Sequence, residues 1–181
     1  VQSEIFRNQI VAAEPLKKSL WQQTVKAKIR NQARLLKILE LPYKDLEYLA
    51  TKVFSGDPDN KEGTAARLYW PRLFQGGFFR DREGPKPNHM LNYGYTILRA
   101  AVARALSGSG LLPTLGIHHK NRYNAYCLAD DIMEPYRPFV DSAVYEIYLD
   151  YPDEESLIPE VKQRLLRILA MDTKFRRVKR P

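Results

Sequence analysis

His89-Met90-Leu91-Asn92-Tyr93-Gly94-Tyr95-Thr96-Ile97-Leu98-Arg99-Ala100-Ala101-Val102-Ala103-Arg104-Ala105-Leu106-Ser107 is the clearest helix in the sequence. Leu91, Tyr95, Leu98, Val102 and Ala105 recur at alternating intervals of four and three, the spacing that lines one face of an α-helix. Ala100, Ala101 and Ala103 leave room for a neighbouring helix to approach closely. Gly108 and Gly110 follow and stop the helix. On its N-terminal side, Arg80-Asp81-Arg82-Glu83-Gly84-Pro85-Lys86-Pro87-Asn88 is a polar loop rich in proline and charge, of the kind that is either mobile or ordered by a ligand.

Further out, the same helical period continues. Residues 16–39 place Leu16, Leu20, Trp21, Val25, Ile29, Leu35, Leu36 and Leu39 on one stripe, with Lys17, Lys18, Lys26, Lys28, Arg30, Arg34 and Lys37 filling the rest. Pro42 suits the first turn of a helix over 42–54. Ser55-Gly56-Asp57-Pro58-Asp59-Asn60 is a turn in which Asn60 or Asp59 is placed to cap a helix over 60–70. Residues 111–127 are irregular. A helix from 128 to 151 is interrupted at Pro135 and Pro138, and a final helix covers 154–170. The fold class is therefore mainly α, with residues 1–173 forming one helical domain and no repeat or β-hairpin signal. Residues 174–181 are a basic tail, either a solvated end or an arm for phosphates.

The 181 residues carry 29 Lys and Arg against 21 Asp and Glu, a formal net charge of +8 and an isoelectric point near 9.5. That excess favours a polyanionic partner, nucleic acid first. No basic amphipathic segment dominates, and no run approaches the roughly 18 apolar residues of a membrane span, so no membrane is expected. The early residues Ser3, Glu4, Asn8 and Gln9 do not form a signal peptide. The single cysteine, Cys127, excludes an internal disulfide and a multi-thiolate zinc site and fits a reducing cytoplasm. A buried apolar role for Cys127 outweighs a nucleophilic one.

The chemistry concentrates in two stretches. In Leu128-Ala129-Asp130-Asp131-Ile132-Met133-Glu134, both the Asp131/Glu134 and the Asp130/Glu134 spacing put two carboxylates on one helical face. Such a pair repels unless a cation lies between. A metal ion or a structural arginine such as Arg137 answers equally well. In Gly116-Ile117-His118-His119, adjacent side chains diverge, so one histidine at most is expected to ligate. Glu62 falls in the first turn of its helix, where the dipole favours a carboxylate. The acidic run Asp150, Asp153, Glu154 and Glu155 reads as capping of the last helix. Arg67, Arg72, Arg80, Lys120, Arg122 and Arg137 flank these motifs, and Tyr69, Trp70, Phe74, Phe78 and Phe79 interleave with several of them. Cations with rings suit phosphates and unpaired bases, although most of these aromatics are expected in the core.

Four of these motifs, taken in order over residues 55–140, resemble a known family. Glu62-Gly63 followed by Ala65-Ala66-Arg67-Leu68-Tyr69-Trp70, then Leu91-Asn92-Tyr93-Gly94-Tyr95, then Gly116-Ile117-His118-His119, and finally Leu128-Ala129-Asp130-Asp131-Ile132-Met133-Glu134-Pro135-Tyr136-Arg137-Pro138 are similar to motifs of the CRISPR-associated spacer integrase, the universal "Cas-one" nuclease, closest to its type II branch. The resemblance implies the family's helical catalytic domain, without the small β-rich domain that precedes it. It implies Glu62, His119 and Asp131 as catalytic residues and ligands of Mn2+ or Mg2+. The implied activity is metal-dependent DNA cutting and joining, in which a 3′-hydroxyl attacks a phosphodiester to insert a spacer into a CRISPR array. The implied partners are double-stranded DNA with single-stranded ends, the array DNA, the small protein "Cas-two", and a second copy of the full-length chain. The rival expectation is a non-catalytic helical nucleic-acid-binding module.

Overall fold

The computed structural model describes residues 2–152, 154 and 156–171. Among them stand eight α-helices and no β-strand: α1 Gln2–Ile10, α2 Glu14–Ile38, α3 Lys44–Thr51, α4 Lys61–Leu73, α5 Asn88–Gly108, α6 Cys127–Met133, α7 Arg137–Asp150 and α8 Pro159–Leu166. Single 3₁₀ turns at Glu134–Tyr136 and Arg167–Ala170 link α6 to α7 and follow α8. The expected mainly-α class is what the chain adopts. The tail 174–181 lies outside the described residues.

The spine is α2, whose Trp21, Val25, Ile29, Ala33 and Leu36 are buried. Against it pack α3, α4, α7 and the 3₁₀ turn at 134–136. On the other side α5 packs against α6, α7 and α8. Where α5 crosses α7 the helices approach so closely that a Cβ on Gly94 would stand 2.5 Å from Val140 Cγ1. The close approach falls at Gly94 rather than at Ala100, which is exposed. The buried face of α5 runs through Met90, Leu91, Gly94, Tyr95, Leu98 and Leu106, so Ala105, expected inside, is turned outward. Each fully buried Leu or Ile in this core contributes about 1.5–3 kcal/mol over its exposed state.

Several boundaries differ from expectation for local reasons. The third helix begins at Lys44 with Tyr43 as its cap, which leaves Pro42 outside the first turn. The last helix begins at Pro159, not near 154. A proline is suited to the first helical position, where its missing N–H costs nothing. The acidic run therefore does not cap that helix. Asp150 closes α7 and accepts from Arg164, and Glu154 accepts from the backbone N–H and hydroxyl of Ser156. Asp153 and Glu155 lie outside the described residues. The first helix, α1, has no fully buried residue. It is fastened instead by Gln9, whose side chain accepts from Leu112 N and donates to Leu112 O, both at 2.8 Å.

Candidate active site

The start of α4 is held from two directions. Asn60, in the left-handed conformation at φ 49°, accepts from Gly63 N at 3.0 Å. Asp57 accepts from Lys61 N and Glu62 N at 2.9 and 3.0 Å. These caps satisfy the free amides of the first turn and aim Glu62 back at α2. Asp59 takes no part in the cap and lies 3.5 Å from Lys61 Nζ.

From α2, Lys28 reaches into the same space. Its Nζ stands 2.5 Å from Glu62 Oε1 and 2.5 Å from Glu134 Oε2. Glu134 opens the 3₁₀ turn, which is tied to α2 by Asn31 Nδ2 donating to Pro135 O at 2.8 Å. Glu134 is 3% exposed, and its other oxygen meets Arg137 at 2.9 Å. Burial disfavours the charge of Lys28, but the carboxylates of Glu134 and Glu62 outweigh that cost and hold its proton more firmly than in an ordinary lysine. The contact with Glu134 Oε2, at 2.5 Å, is an ion pair.

Next to this pair lies the histidine loop. Asp131, on α6 and fully buried, is wrapped by it. Its Oδ2 accepts from Ile117 N at 2.7 Å and His118 N at 2.9 Å. Its Oδ1 accepts from His119 N at 3.3 Å and meets His119 Nδ1 at 2.5 Å. Gly116 makes the wrap possible, because a Cβ there would stand 2.3 Å from His119 O and 2.9 Å from Asp131 Oδ2. The hydrogen bond to the Asp131 carboxylate raises the pKa of His119 above that of an ordinary histidine, against the opposing effect of partial burial. A proton on Nδ1 donated to Asp131 would leave the Nε2 lone pair of the neutral ring available. His118 diverges as expected, and its ring stacks on Trp21 with centroids 4.1 Å apart and planes 1° from parallel.

The structure thus brings His119 to Asp131, and Glu62 to Glu134 through Lys28. Among the described residues, no three His, Cys, Asp or Glu side chains are grouped to hold a metal ion. Asp130, the neighbour of Asp131, is neutralised by Arg99 at 2.6 Å and by Asn124 at 2.7 Å. Cys127 is buried, with its Sγ on two backbone carbonyls.

A cleft of about 450 Å³ opens beside Lys28, lined among others by Gln32, Arg67, Trp70, Phe79, Arg80, Tyr95, Arg137 and Asp141. Arg80 and Arg137 lie over the Tyr95 ring, at 5.4 and 4.6 Å from its centroid. The Nε of each arginine is buried without an acceptor among the described residues. Of the other basic candidates, Arg72 is closed by a two-pronged pair with Asp45 at 2.7 and 2.6 Å, so its fork is already used. Lys120 reaches Glu14 at 3.2 Å, and Arg122 lies over Tyr123. Tyr69, Phe74 and Phe78 are core, whereas Phe79 is exposed.

Sequence reasoning missed two members of this site. Lys28 stood in a row of cations that all read as solvent-facing. Asp141, 1% exposed, accepts from the hydroxyls of Tyr69 at 2.8 Å and of Tyr95. Burial pushes its pKa up to about 6 despite those donors. Its position at the inward register of α7 was the only available signal.

The comparisons with known proteins cover this stretch of the chain. The family model "CRISPR associated protein Cas1" matches residues 58–150, the stretch that carries Glu62, His119, Asp131, Glu134 and Asp141. A CRISPR-associated endonuclease Cas1 of Neisseria meningitidis serogroup C is 43% identical over 170 residues, covering 93% of this chain and 56% of the relative. Two solved structures share the fold. A casposase bound to integration product superposes with a TM-score of 0.76 at 23% identity, over 93% of this chain and 55% of its own. A partial Cas6-RT-Cas1–Cas2 complex does so with a TM-score of 0.75 at 23% identity, over 93% and 63%. The chain spans little more than half the length of that Neisseria relative. With its motifs, helical fold and family match in agreement, the chain belongs to the Cas1 family of CRISPR-associated proteins.

Proposed function

We propose that this chain is the catalytic part of a metal-dependent DNA endonuclease and integrase that inserts new spacers into a CRISPR array. One observation carries the reading: two carboxylates, Glu62 and Glu134, converge on a single cation at the edge of an arginine-lined cleft. Relatives named as endonucleases and a fold shared with a casposase holding an integration product support it.

The donor set suits a hard or borderline divalent ion, Mn2+ or Mg2+. Glu62, Glu134 and His119 Nε2 are its proposed ligands. Asp131, with both oxygens already engaged, is a positioning residue that fixes the tautomer and orientation of His119. When bound, such an ion supplies Lewis-acid charge to a phosphodiester oxygen. Arg67, Arg80 and Arg137, which line the cleft, then attract the DNA backbone by charge. Trp70, Phe79 and Tyr95 offer apolar and π surface beside them for an unpaired end. A Cas2-type partner, a second copy of the chain and DNA with single-stranded ends complete the proposed assembly in the cytoplasm. No helix among the described residues is long and apolar enough to cross a membrane.

The test is strand transfer of a short duplex into a supercoiled plasmid bearing a CRISPR array, with the Cas2-type partner, in Mn2+ or in chelator. Joining is expected in Mn2+ only, and lost in His119→Ala and Glu134→Ala. Equal joining by wild type and both variants rejects the site. Equal joining in chelator rejects the metal. Undiminished function in Glu62→Ala favours a non-catalytic binding module.

A further inference from the structure

Lys28 occupies the point on which Glu62 and Glu134 converge, so a divalent ion and this ammonium compete for one seat. The side chain is 12% exposed. If it leaves, a buried charge has to find another partner. One is present. Gln32, one turn further along α2 and 2% exposed, has a buried Oε1 without a donor among the described residues. Residues four apart on a helix are neighbours on its surface, and Lys28 and Gln32 line the same cleft. A lysine carries three donors on a flexible four-carbon stem, which suits an exchange between two acceptors on one helix face. Glu134 does not lose all its compensation when Lys28 leaves, because Arg137 holds its other oxygen at 2.9 Å.

We infer that Lys28 is an exchangeable cation: it clamps Glu62 to Glu134 while no divalent ion is bound, and shifts to Gln32 in the arginine-lined cleft when one binds. The inference rests on the proposal that these two carboxylates are metal ligands. In the shifted position the ammonium joins Arg67, Arg80 and Arg137, so metal binding adds a fourth cation to the surface that faces a DNA backbone. One ion thus completes both the carboxylate site and the phosphate site, and premature DNA binding is disfavoured while the carboxylates are metal-free.

The experiment is Mn2+ titration by calorimetry, with thermal unfolding in chelator, on wild type, Lys28→Met and Gln32→Leu. Lys28→Met is expected to unfold at a lower temperature in chelator, because two carboxylates then face each other unbridged. It is also expected to bind Mn2+ roughly tenfold more tightly, because no ammonium has to be displaced. Gln32→Leu is expected to keep the clamp but bind Mn2+ about threefold more weakly, having lost the second acceptor. Mn2+ binding to wild type but no more tightly to Lys28→Met overturns the exchange and leaves the metal site standing. Mn2+ binding to none of the three overturns the metal site and the exchange together. If Lys28→Met fails to fold, a crystal structure of wild type grown with Mn2+ decides. Lys28 Nζ within hydrogen-bond reach of Gln32 Oε1 supports the exchange, and Nζ still between Glu62 and Glu134 overturns it.

Discussion

Asp131 and Glu134 lie within one turn of each other and are both buried, yet their charges are met in different ways. Asp131 is met by three backbone N–H groups and one imidazole. Those amides belong to a loop that has no other use for them, and they cannot leave without unwinding it. Glu134 is met by the tips of two long side chains, Lys28 and Arg137, which rotate away without disturbing a helix. The first carboxylate is therefore a fixture that shapes the histidine loop. The second is held by partners that can be exchanged, as a residue must be if it is to take up an ion.

The largest expected effect comes from emptying the fixture. Asp131→Ala leaves the amides of Ile117, His118 and His119 without their acceptor and should cost about 3 kcal/mol of stability, while Glu134→Ala, with Lys28 still on Glu62, should cost clearly less. Urea unfolding of both variants measures the difference, and an equal cost would break the contrast.

Asp141 sharpens it from a third direction, since its partners are neutral hydroxyls. Its pKa is raised to about 6, above the usual carboxylate range, so the folded state binds the proton more tightly than the unfolded chain. The stabilisation is fully present below the unfolded value and is lost as pH rises through the folded one. Stability should therefore fall from about pH 4 to pH 6 by an amount on the order of 2 kcal/mol attributable to this residue. Asp141→Asn should remove that slope in thermal unfolding measured across the window. A slope that survives the substitution assigns it elsewhere.

The smallest effect is expected at Arg72, whose pair with Asp45 lies toward the surface. Arg72→Ala should cost no more than about 1 kcal/mol and leave DNA affinity unchanged, whereas Arg80→Ala and Arg137→Ala should weaken binding and flatten its dependence on salt. Competition gel shifts at two salt concentrations separate them.

Much of the helical framework was legible in the chain. The stripes of residues 16–39 and 89–107 are long and regular, and regular stripes become buried faces because only they can be removed from water together. The first helix escaped notice because it is short and has no fully buried residue, so Ile5, Phe6 and Ile10 do not extend into a stripe of several turns. The start of the last helix was misplaced because acidic residues resemble a first turn, while Pro159 sets the actual boundary. At the site, Glu62 in a first turn and His119 after Gly116 could be read locally, since caps and tight loops depend on neighbours in sequence.

By itself the sequence determined where the long helices form, that the chain is basic, and which motifs carry acids and histidines. Only the tertiary structure decided that Asp131 on α6 is satisfied by the preceding histidine loop, that Lys28 leaves its row of cations to bridge Glu62 and Glu134, and that Asp141 is sealed beneath Tyr69 and Tyr95. Helix formation is governed by hydrogen bonds and periodicity within a few residues, whereas the partner of a buried charge is chosen by which helices pack together. Lys28 and Glu62 are 34 residues apart in the chain, and nothing in the spacing between them records that they meet.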